Sequence, residues 1–130
     1  TTMLKELGVS YVVAKAHSLM HSRILKKVGA DKVVFPELDM GVRVANTLSN
    51  VNVVDQLSLS DGYSIVEINC PESWVGKSMI ELDIRARYGI NVLAVRAGDD
   101  IDVSPDPHRI FSKEDVVIVI GADDDMNGIQ

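Results

Sequence analysis

The chain has 130 residues, 46% of them hydrophobic and 25% charged, which is the composition of a globular protein. Nineteen acidic against thirteen basic side chains leave a net charge of -6, so the basic face that a nucleic-acid polymer requires is not expected. The apolar runs are too short to cross a bilayer, and a single cysteine, Cys70, allows no disulfide within the chain and suits a reducing, intracellular compartment.

Thr1 to Leu7 reads as the last turns of a helix ending at Gly8, so the chain is expected to start inside a longer domain. Tyr11 to Ala16, β-branched and small, is a short buried strand. From His17 to Val28 the residues Leu19, Met20, Ile24, Leu25 and Val28 share one helical face, and Gly29 closes the helix. Lys32 to Phe35 is a second strand ended by Pro36. Asp39 is placed as the N-cap of the next helix, which stops near Ser49 and Asn50. Strand, helix, strand, helix in this order implies a parallel sheet. Two strands do not make a self-sufficient doubly wound domain, and no Gly-x-Gly-x-x-Gly turn occurs. This part is therefore read as a fragment of an α/β domain, residues 1–60, that by itself lacks a nucleotide cradle.

A boundary is placed at Asp61-Gly62, a turn signal that follows the irregular segment 51–60. Beyond it Tyr63 to Asn69 alternates as a half-buried strand, and Cys70 reads as an inert, partly buried thiol. Ser78 can cap a helix that Gly89 ends. Asn91 to Arg96, Ile101 to Ser104 and Asp115 to Ile120 are three further strands, with Asp123 to Asp125 as a solvated acidic tail. Residues 61–130 thus form a small α+β module of βαβββ order. One helix over so few strands gives a small core, which points to a homodimer.

Three groups of side chains could carry chemistry. His17 and His21, four apart on a helix, share a face as zinc ligands do, although no further ligand accompanies them, and a surface or interface role reads as well. Glu37 follows the second strand at the carboxyl end of a parallel sheet, where a cation or sugar hydroxyl could bind, or where the acid is simply solvated. In Met79 to Asn91, Arg85 offers a planar fork for a phosphate beside the apolar surface of Met79 and Ile80. The same residues also read as core plus a cation favoured at a helix C-terminus. No nucleophile elbow or paired acids mark a catalytic centre, so no enzymatic activity is expected.

The run A-K-A-H-S-L-M-H-S-R-I-L-K-K-V-G-A-D-K-V-V-F-P-E-L-D-M-G (Ala14 to Gly41) closely resembles the KtrA-type regulators of potassium conductance. The likeness continues through V-A-N-T-L-S, D-G-Y-S-I-V-E, L-D-I-R-A-R-Y-G-I-N and S-P-D-P, nearly the whole chain. It implies a cytoplasmic regulatory subunit, peripheral to the membrane through the potassium channel subunit that it gates. Residues 1–60 would be the end of a Rossmann-like RCK N-domain, with Glu37 at its nucleotide or cation edge. ATP, ADP or NAD binding, and an octameric ring, are implied only for a full-length parent. Residues 61–130 would be an RCK C-domain whose homodimer binds cyclic di-AMP. Met79 and Ile80 would line the base pocket, Arg85 would hold a phosphate, Ile90 and Asn91 would contact a base, and Pro107 would form a wall. Two rival readings are a sensor of a different small ligand and a module that serves dimerisation and assembly alone.

Overall fold

The computed structural model describes residues 1–129, which fall into two compact units, residues 1–44 and the chain from residue 45 onward. The first unit holds α1 (Thr2–Glu6), β1 (Val13–Lys15), α2 (Leu19–Lys27) and β2 (Lys32–Val34). Leu7 ends α1 and Gly8 follows at φ 83°, while Gly29 follows α2 at φ 96°; both take the left-handed conformation that only glycine adopts without strain. Ser18 Oγ accepts the backbone N–H of His21 and caps α2. The β1 and β2 strands pair in parallel, Val13 opposite Lys32 and Lys15 opposite Val34, and with α2 between them they make a single strand-helix-strand crossover. Among the described residues these two strands form the whole of the parallel sheet, short of a complete doubly wound one.

Helix α3 (Pro36–Ser49) begins with a proline in its first turn. Asp39 is therefore not its cap: proline's fixed φ and missing N–H suit the first helical position, so the helix starts four residues earlier than a cap at Asp39 would set it. Glu37 and Asp39 instead lie in the first turn, where acids favour the helix dipole.

The second unit is a five-stranded sheet in the order β3-β4-β7-β5-β6, every neighbouring pair antiparallel. Its strands are β3 (Val53–Ser60), β4 (Tyr63–Asn69), β5 (Asn91–Ala97), β6 (Asp100–Asp102) and β7 (Val116–Ala122). β3 occupies the segment read from sequence as a connection. Register shifts between Val53 and Asp55 and between Ser58 and Ser60 break its alternation, which is why its pattern is weak although it pairs along β4.

Ser64, Val66 and Ile68 of β4 and Val117 and Val119 of β7 face inward, buried to 5% exposure or less. Against them pack Trp74, Leu82, Ile84, Ile90 and Phe111, with the Trp74 ring tilted against those of Phe111 and Tyr88 at separations of 5.6 and 5.7 Å.

The helix expected between Ser78 and Gly89 is two short ones, α4 (Met79–Leu82) and α5 (Ile84–Tyr88), separated by Asp83 at φ 46°, ψ 49°. Aspartate tolerates this left-handed geometry better than most residues, and the break lets Leu82 and Ile84 both reach the core. The acids Asp123 to Asp125 are not a loose tail but open α6 (Asp123–Met126). Cys70 sits one residue beyond β4, buried at 7% exposure.

A candidate ligand cleft beside helices α4 and α5

The mouth between α4, α5 and the start of β5 opens into a cleft of about 470 Å³, a volume suited to a small organic ligand. Its position follows from local sequence. Ser78 and Glu81 form a reciprocal capping box: Ser78 Oγ accepts the Glu81 N–H, and Glu81 Oε2 accepts the Ser78 N–H at 2.9 Å. That fixes the first turn of α4 and sets Met79 half-buried and Ile80 at 54% exposure. Gly89 at φ 70° turns the chain out of α5. Ile90, fully buried, anchors the turn, and Asn91 opens β5 opposite Ile120.

Six residues singled out from sequence, Met79, Ile80, Arg85, Ile90, Asn91 and Pro107, converge on this one cleft. Asp83, Ile84 and Val92 line it too, and sequence reasoning missed them. For Asp83 the only available signal was an acid interrupting a helical stretch. Pro107 comes from a distant loop, and its carbonyl accepts the Ile80 N–H at 3.3 Å, joining wall to floor. The lining is mostly apolar. Arg85 is exposed, and among the described residues its guanidinium has no ion-pair partner. An unpaired, planar cation at the edge of an apolar cleft can grip a phosphate while a flat base lies on Met79 and Ile80.

A second cleft of about 370 Å³ is lined by Asn46, Asn50, Asn52, Gln56, Asp123 and Asn127 above Val66 and Ile68. It has carboxamides and one carboxylate but no cation, so an anionic ligand is matched to the first cleft.

The other two groups lie elsewhere. Glu37 belongs to the first unit, where its Oε1 meets Lys15 Nζ at 2.9 Å. That hydrogen bond holds its carboxyl below the ordinary range. The rings of His17 and His21 stack at 5.6 Å, with His21 Nδ1 accepting the His17 N–H. Among the described residues, no group of three or more His, Cys, Asp or Glu could hold a metal, and no helix is long and apolar enough to cross a membrane.

A small antiparallel sheet backed by two short helices, with a cleft at the helix-strand junction, defines the class of this module, and the comparisons give it a family. Residues 63–130 match the TrkA-C domain. The chain belongs to that family. It is 42% identical to Ktr system potassium uptake protein C of Bacillus subtilis over 127 residues, and 41% identical to Ktr system potassium uptake protein A of the same organism over 121. These matches take in 98% and 93% of the chain but 58% and 54% of the relatives, so the chain spans little more than half of their length. A solved structure of the KtrA RCK C domain in complex with cyclic di-AMP is 39% identical, with a TM-score of 0.50, covering 65% of this chain and 89% of that one.

Proposed function

We propose that this chain is part of a cytoplasmic, non-enzymatic regulatory subunit of a Ktr/Trk-type potassium uptake channel, and that its second module binds cyclic di-AMP as a homodimer. The observation that carries the reading is the convergence of Arg85 with Met79, Ile80, Ile90, Asn91 and Pro107 on one apolar cleft. The 39%-identical neighbour, whose own complex is with cyclic di-AMP, supports it.

In this reading Arg85 holds a phosphate, Met79 and Ile80 lie against a base, Ile90 and Asn91 contact it from the β5 side, and Pro107 closes the far wall. Cyclic di-AMP is two-fold symmetric, so an isologous dimer presents each of these residues twice about one axis. Two Arg85 side chains then answer two phosphates within an acidic protein. Binding shifts the dimer toward one arrangement, which the subunit passes to the membrane channel.

The end of a Rossmann-like RCK N-domain, read from sequence as residues 1–60, is proposed to lie in the first unit, because β3 (Val53–Ser60) belongs to the sheet of the second. Residues 61–130 are proposed as the ligand-binding RCK C-domain, whose sheet β3 joins. Glu37 would sit at the nucleotide or cation edge of a complete N-domain, where ATP, ADP or NAD would bind.

The test is calorimetric titration of cyclic di-AMP into the wild-type chain and Arg85→Ala. Loss of binding with the dimer intact supports the assignment; unchanged affinity in the variant overturns it. Dimerisation without any ligand-induced rise in melting temperature would favour a pure assembly module.

A further inference from the structure

The wall of the cleft stands on a loop with little packing of its own. Between Val103 and Ile110 only Pro105 and Arg109 are even partly buried, and the apolar ends Val103 and Ile110 are 73% and 52% exposed. The side chain that ties this loop inward is Arg109. Its Nη1 and Nη2 donate to the two carboxylate oxygens of Asp115 at 2.8 and 3.0 Å. The Asp115 side chain is 3% exposed and also accepts the Ser112 N–H at 2.8 Å. The Asp115 carbonyl accepts the Cys70 N–H at 2.9 Å, so the acid is fixed at the root of β7. On the loop side, the Arg109 N–H donates to the Asp106 carbonyl at 2.9 Å, which closes a turn around Pro107.

We infer that Arg109 is a positioning residue for the cleft: its two-pronged bond to Asp115 holds the Pro107 wall against α4 before a ligand arrives. This rests on the reading of the cleft as a ligand site. The chain of contacts runs from β7 through Asp115 and Arg109 to the 106–109 turn, and from the Pro107 carbonyl to the Ile80 N–H. A preformed wall spares the ligand the entropy of ordering it. Lysine cannot replace arginine here, because a point charge cannot make the parallel pair of bonds.

The experiment compares the wild-type chain with Arg109→Lys by cyclic di-AMP calorimetry and by amide hydrogen exchange in the absence of ligand. In the variant, Kd should rise roughly tenfold. Exchange at the Ile80 amide should quicken by a similar factor, while the core amides of Val117 and Val119 keep their protection. Unchanged Ile80 exchange overturns the inference, as does quicker exchange with unchanged affinity. If the wild-type chain does not bind cyclic di-AMP, the ligand reading falls, and the Ile80 amide still reports whether Arg109 holds the wall. Should Arg109→Lys fail to fold, the double variant Arg109→Gln with Asp115→Asn removes both charges and is held to the same two outcomes.

Discussion

The hydroxyl of Ser64, fully buried within the sheet, donates a 2.6 Å hydrogen bond to Oδ1 of Asp123, at the first turn of α6. Gln56 Nε2 donates to the same hydroxyl at 3.1 Å, so one serine links β3, β4 and α6. Ser64→Ala leaves both partners short of a bond and should cost about 1–3 kcal/mol. Urea denaturation measures this directly. Wild-type stability in the variant would show that the link contributes nothing.

Acid should weaken the buried pair of Asp115 with Arg109. Its hydrogen bonds from Arg109, with that from the Ser112 N–H, hold the carboxyl below its ordinary value of 3.8. Because the folded value is the lower one, the stabilisation is complete above the unfolded value and is lost as pH falls below about 4. Asp115→Asn should therefore be less stable at neutral pH yet lose less on acidification. Urea midpoints between pH 7 and pH 2.5, compared for the two chains, check both signs.

Cys70 is expected to be inert. Burial, with a smaller contribution from the nearby Asp115 charge, raises its thiol from 9.0 to about 11. A raised folded value means that its contribution to stability is whole below pH 9 and fades as pH rises toward 11. At pH 8 the native chain should react with iodoacetamide far more slowly than the urea-unfolded chain. Equal rates would contradict the burial.

Gly121 has no room for a side chain. A Cβ there would stand 2.7 Å from Cγ2 of Ile90 and 3.3 Å from the Met126 methyl. Gly121→Ala must push Ile90, which lines the cleft. The expected cost is about 1–3 kcal/mol from overpacking, read as a lowered melting temperature. An unchanged melting temperature would mean that the turn at Ile90 shifts freely.

What was readable in the sequence followed from short-range physics. β4 spans Tyr63 to Asn69 as its alternation suggested, and Ser78, Gly8, Gly29 and Gly89 end or start helices where their backbone preferences place them. The six residues proposed as ligand contacts were selected by resemblance to a family, and they meet on one cleft although Pro107 lies far from Met79 in the chain.

What was not readable depended on partners distant in sequence or on a single dihedral angle. β3 is strand-like only because β4 pairs with it through two register shifts. Asp123 looked like a solvated acid until the fold set Ser64 beside it. Asp83 re-aims a helix through one left-handed residue that no periodicity announces. Arg109 and Asp115 are six apart in a loop, and their pairing appears only once the loop is closed.

The central claim is that two copies of this cleft share one symmetric ligand, and the stoichiometry of binding tests it most directly. Calorimetric titration of the wild-type chain with cyclic di-AMP should saturate at one ligand per two chains, with the protein sedimenting as a dimer throughout. No heat of binding, or saturation at one ligand per chain, would contradict the account.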